Sequence, residues 1–90
     1  MAEKRERLDV VSDILNAVIR NNNKIGPTRL IQLSNLSPAM FKEYITHLAS
    51  NELLLLSEVK GKKFYSISEK GYVFLEKYKN FKKFVNDLGV

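Results

Sequence analysis

Apolar residues follow two rhythms along this chain, a helical one at both ends and in the middle, and a strand-like one between them. Leu8, Val11, Leu15, Val18 and Ile19 fall on one side of a first helix. That helix should end by Asn21-Asn22-Asn23, because asparagine competes for backbone hydrogen bonds and tolerates left-handed geometry. Lys24-Ile25 leaves room for a very short strand. Gly26-Pro27 then turns the chain into a second helix, with Thr28 expected as its N-cap and Leu30, Ile31 and Leu33 as its buried face. The rhythm breaks at Ser34-Asn35-Leu36-Ser37. Ser37 can cap a third helix through its hydroxyl, and Pro38 suits the first helical position, where no amide donor is needed.

In that third helix Phe41, Tyr44, Ile45 and Leu48 form an inward stripe, while Ala39, Lys42, Glu43, Thr46 and Ser50 point the other way. A tight break with Leu36 buried inside it sets two helices at a steep angle and leaves the polar side of the second free. After Asn51 the pattern changes to LLLLSEV and KKFYSIS, two runs rich in branched and aromatic residues joined around Lys60-Gly61, which predict a two-stranded hairpin. The glycine supplies the positive backbone angle of a tight turn, and Lys60, Lys62 and Lys63 sit at or beside the tip. Ser68 is placed to cap a last helix, with Glu69 near its positive end.

The last helix carries Phe74, Tyr78, Phe81, Val85 and Leu88 at spacings of four, three, four and three, the pattern of a coiled-coil seam sustained for about two heptads. Leu75 and Phe84 widen it, and Lys77, Lys79, Lys82 and Lys83 lie at flanking or outer positions. A stripe of this kind either packs on its own domain or covers a second copy. The first three helices and the hairpin form a closed set, so self-association is the expectation.

Composition narrows the class. The chain is 90 residues long, 44% hydrophobic and without cysteine. It should be one folded unit with neither a disulfide framework nor a thiolate metal site. No apolar run approaches the roughly 18 residues of a membrane span, and MAEKRERLDVV lacks a signal-peptide core. The expectation is a soluble, cytoplasmic protein. The net charge of +5 is unevenly placed: residues 1–58 hold seven basic and seven acidic side chains, whereas residues 59–90 hold eight basic and three acidic. A basic C-terminal third suggests a one-sided footprint for a polyanion, or a solvated face that maintains solubility.

Catalysis has little support. His47 is the only histidine, and no carboxylates are spaced for acid–base work. Glu43 precedes His47 by four residues, which predicts a surface pair rather than a dyad. Metal ligands and a glycine-rich phosphate loop are both missing from the pattern, so no cofactor and no small-molecule substrate are inferred.

The order helix, short strand, helix, turn, helix, hairpin, helix resembles small archaeal winged helix-turn-helix DNA-binding proteins that dimerise through an antiparallel coiled coil of C-terminal helices. The residues that carry this are Thr28-Arg29-Leu30, Asn35-Leu36-Ser37, Tyr44 to Leu48, Asn51-Glu52-Leu53-Leu54, and Ser68-Glu69-Lys70-Gly71 followed by Phe74-Leu75. The lead-in to the hairpin departs from the family in having no glycine beside the leucine. The implied fold is mainly α with a small β-hairpin: a winged helix-turn-helix domain over residues 1–68 and a C-terminal dimerisation helix over 69–90. The resemblance implies that the third helix enters the major groove of double-stranded DNA through Ser37, Pro38, Ala39, Lys42, Glu43 and Thr46. Thr28 and Arg29 would touch the backbone, and the wing lysines Lys60, Lys62 and Lys63 would run along the phosphates. It also implies a homodimer through Phe74, Tyr78, Phe81, Val85 and Leu88, and a nucleoid-associated regulator of transcription. The alternatives are a winged helix used for protein contact and a non-specific chromosome-organising protein.

Overall fold

The computed structural model describes residues 6–89; the mixed-charge start, residues 1–5, and Val90 lie outside the described residues. Four helices and one hairpin follow in the order α1 (Arg7–Arg20), α2 (Pro27–Ser34), α3 (Pro38–Ser50), β1 (Leu54–Val59), β2 (Lys62–Ile67) and α4 (Glu69–Asp87).

The core is organised around α1. Ile14, Leu15, Ala17 and Val18 are completely buried, and Leu30 of α2, Phe41, Ile45 and Leu48 of α3, and Leu54, Tyr65 and Ile67 of the hairpin pack with them. Because α2, β2 and α4 all lean on α1, its covered arc is wider than one stripe and rotated from the expected one. Val10 and Ile14 are inside, Val11 and Ile19 are half-buried, and Leu8 is 52% exposed. Burial pushes the Tyr65 phenol above its ordinary pKa by desolvation, so it packs as a neutral group.

The asparagine run ends α1 as expected. Asn22 and Asn23 take positive φ, and the Asn23 side-chain oxygen accepts the Ile67 amide at 2.6 Å, tying the end of α1 to β2. The expected strand at Lys24-Ile25 is a single bridge, Ile25 paired with Tyr65. Thr28 is not the N-cap of α2. Gly26 holds that position with Pro27 as the first helical residue, so the turn itself starts the helix and Thr28 lies one step inside. Leu33 is exposed, and its expected buried place is taken by Ser34, whose hydroxyl donates to the Ile31 carbonyl at 2.9 Å. Asn35, in left-handed geometry, ends α2, and Leu36 packs half-buried on the core.

The hairpin pairs Leu54 with Ile67 through Val59 with Lys62. Its two-residue loop has positive φ at both Lys60 and Gly61, the mirror-image turn that matches strand twist. Only Leu54 of the leucine run is buried. Leu55 and Leu56 are exposed because a two-stranded sheet extends beyond the helices that cover its base.

One junction joins hairpin and helices. The Ser68 hydroxyl donates to the Glu52 carbonyl at 2.6 Å and accepts the Gly71 amide at 3.0 Å, capping α4. A Cβ on Gly71 would stand 2.5 Å from Ile67 Cγ1 and 2.6 Å from the Leu53 carbonyl oxygen, so α4 approaches the strands closer than any side chain allows. Gly71→Ala should therefore destabilise the fold by about 1–3 kcal/mol from overpacking, despite the roughly 1 kcal/mol that alanine gains in helix propensity. Denaturant titration checks the sign, and a stabilised variant would refute the close approach.

Candidate nucleic-acid interface

The outward side of α3 is built by its cap. Ser37 Oγ accepts the Met40 amide at 3.3 Å and Pro38 fills the first position, so Ser37, Pro38 and Ala39 stand exposed at the positive end of the helix. Lys42, Glu43 and Thr46 follow on the same exposed side. Two of these groups are already engaged. The Thr46 hydroxyl donates to the Lys42 carbonyl at 2.8 Å, within its own helix. Glu43 does not pair with His47; its carboxylate lies 3.5 Å from the Arg7 guanidinium at the start of α1. Both partners are largely exposed, so this pair contributes little to stability. It does counter a negative charge on the outward face.

The start of α2 and the returning strand of the hairpin come together. Thr28 and Arg29 share a shallow groove of about 520 Å³ with Gly26, Lys62, Lys63 and Phe64. Lys24 Nζ sits 4.6 Å from the centre of the Phe64 ring and adds a cation beside this groove. Lys60 stands exposed at the tip. Glu58 faces Lys63 in the ladder without closing an ion pair. Among the described residues no carboxylate pairs with Arg29, Lys42, Lys60, Lys62 or Lys63. These cations remain available for an outside anion.

Two residues of this surface escape a reading of the sequence. Lys24 follows three asparagines, and only the Ile25–Tyr65 bridge brings it beside the hairpin. Met40 is 47% exposed on α3, where an apolar residue would be assigned inward. His47 is exposed in the last turn of α3. Among the described residues no group of histidine, cysteine and carboxylates comes together to hold a metal, and no helix is long and apolar enough to cross a membrane.

The last helix has two distinct halves. Gly71 is buried, and Phe74 and Leu75 pack on the core. Tyr78 is half-buried, stacks on Phe74 with ring centres 6.1 Å apart, and donates its hydroxyl to Asp9 of α1. Lys82 Nζ lies 3.5 Å from the same carboxylate, which also accepts the Glu6 amide at 3.2 Å. Beyond this anchorage Val85 is half-buried, while Phe81, Phe84 and Leu88 are 57%, 59% and 61% exposed.

The sequence profile of the winged helix-turn-helix family matches residues 4–86. The chain belongs to the winged helix-turn-helix family. In this family's terms β1 and β2 are the wing, and α2 and α3 are the helix-turn-helix. The winged helix is similar to Sso10a-2, a DNA-binding protein from Sulfolobus solfataricus, with a TM-score of 0.78 and 25% identity over 93% of this chain and 85% of that one. It is similar to F93 from STIV, a winged-helix DNA-binding protein, with a TM-score of 0.73 and 22% identity over 89% and 92%. BpsR of Bordetella bronchiseptica, whose DNA binding is regulated by 6-hydroxynicotinic acid, has a TM-score of 0.68 and 14% identity over 86% and 57%. No curated protein matches the sequence.

Asp9 ties α1 to the last helix through two donors of α4, Tyr78 and Lys82, and caps its own first turn through the Glu6 amide. Asp9→Ala should cost about 1–3 kcal/mol, since the Tyr78 hydroxyl and the first turn of α1 lose their acceptor. Thermal unfolding checks this, with an unchanged midpoint as the contrary result.

Proposed function

We propose that this winged helix binds double-stranded DNA as a homodimer, with α3 as the recognition helix in the major groove and the wing along the phosphate backbone. The carrying observation is that the exposed side of α3 and the joined surface of α2 and the wing offer cations without carboxylate partners. The similarity to Sso10a-2 and F93, both DNA-binding proteins, supports the same reading. In this arrangement Thr28, Arg29 and the wing lysines contact phosphates and set register, while Ala39, Lys42, Glu43 and Thr46 approach base edges beside the cap formed by Ser37 and Pro38.

The chemistry available for reading bases is limited. Lys42 reaches a guanine edge or a phosphate, and Met40 and Ala39 offer apolar contact to a thymine methyl. Thr46 first has to release its bond to the helix backbone, and Glu43 its bond to Arg7. No asparagine or glutamine lies on this face for bidentate adenine recognition. Discrimination then rests largely on DNA shape and backbone contacts. This favours an architectural, nucleoid-associated role, or a regulator of broad specificity, over a narrow operator reader. If both heads of a homodimer engage one face of a duplex, their half-sites stand about 34 Å apart or at a multiple of that distance.

Binding of unrelated duplexes across a salt series tests the proposal. Replacing Lys60, Lys62 and Lys63 together with alanine should weaken binding to all sequences alike and flatten the dependence of log affinity on log salt by up to about three units. Unchanged affinity and slope would remove the wing from the interface. Failure of the unmodified protein to bind duplexes even in dilute buffer would overturn the function.

A further inference from the structure

The needs of the fold do not explain the placement of Arg7. It is the first residue of α1, where the unpaired amides of the helix favour negative charge and a cation is unfavourable. Three and four residues further on stand Val10 and Val11, so no carboxylate of the next turn faces it. The nearby Asp9 carboxylate is taken by Tyr78, Lys82 and the Glu6 amide. The Arg7 guanidinium turns instead to another helix, with Nη2 standing 3.5 Å from Glu43 Oε1 of α3. Both side chains are largely exposed, and a pair so open to water adds little to stability.

The partner that Arg7 finds is unusual in its own surroundings. From Asn21 to Asn51, through the whole helix-turn-helix, Glu43 is the only carboxylate. It stands exposed on the outward side of α3, beside Lys42 and one turn before His47. Laid against a duplex, a bare carboxylate at this position would face phosphates of its own sign. Water is displaced from such a contact, so the repulsion is screened less than at a free surface. Within α3, Ala39, Met40 and Thr46 offer Glu43 no charge, since none of them carries one. The neutralising cation reaches it from α1.

We infer that Arg7 is part of the DNA interface: it keeps Glu43 neutralised while α3 lies in the groove and turns its remaining donors to a backbone phosphate. The inference rests on the DNA-binding reading above and adds the start of α1 to the surface formed by α2, α3 and the wing. Arginine suits both tasks at once. Its planar fork carries donors on more than one edge, it matches carboxylate and phosphate oxygens alike, and it stays charged at any working pH. Nη2 serves Glu43, and the other guanidinium nitrogens carry the donors for the phosphate. Glu43 then acts as the mount that aims Arg7, and the cation set at the unfavourable end of α1 has its use outside the fold.

Three variants titrated with a short duplex across a salt series test the inference. Arg7→Ala should weaken binding about tenfold and flatten the dependence of log affinity on log salt by about one unit. Glu43→Gln with Arg7 in place should change affinity by less than about threefold. In the Arg7→Ala background the same substitution should recover several-fold, because it removes a carboxylate left bare against the phosphates. The thermal midpoint of Arg7→Ala should not fall, so its weaker binding is not weaker folding. Unaltered affinity and slope in Arg7→Ala, or equal effects of Glu43→Gln in the two backgrounds, would overturn the inference, while duplex binding by the unmodified chain leaves the DNA reading standing. No binding by the unmodified chain in dilute buffer would overturn both.

Discussion

The corner at Ser68 and Gly71 sets the direction of every outward-facing surface in this winged helix. There the end of α3, both strands and the start of α4 meet, and the Ser68 hydroxyl satisfies the Glu52 carbonyl on one side and the Gly71 amide on the other. The bare backbone of Gly71 lets α4 rest against Leu53 and Ile67 at a distance that excludes any side chain. From that corner the wing leaves in one direction and α4 in another, while α1 fills the space between them with completely buried Ile14, Leu15 and Val18. The position of the wing relative to α3, and of α4 relative to both, follows from one hydroxyl and one missing methyl group.

What could be read from the sequence is what is decided within a few residues. The caps at Ser37 and Ser68, the Lys60-Gly61 turn, the left-handed asparagines and the inward stripe of α3 depend on local backbone chemistry, and the structure has them where the pattern predicts. Threonine is a good capping residue, so the pattern points to Thr28 as the N-cap of α2, but the Gly26-Pro27 turn begins the helix earlier. The missing family glycine before Leu53 has a plain physical counterpart. Glu52 itself adopts positive φ there, accepting strain that glycine would avoid.

Features that depend on which elements meet were not legible. The pairing of Glu43 with Arg7 joins residues 36 positions apart and displaces the expected contact with His47. Lys24 reaches the wing only through the bridge between Ile25 and Tyr65. The seam on α4 is uniform in its spacing, yet Phe74, Leu75 and Tyr78 pack on the body of the domain while Phe81, Phe84 and Leu88 are exposed. Periodicity identifies an apolar face; only the tertiary arrangement says how much of that face remains uncovered.

In the proposed complex the exposed side of α3 and the wing meet the same polyanion. Amide chemical shifts followed during titration with a short duplex test it residue by residue. The largest changes are expected at Thr28 and Arg29, from Ser37 to His47, and from Lys60 to Lys63, with residues 81–88 of α4 little altered. Changes concentrated on α4, or none at any duplex concentration in dilute buffer, would contradict it.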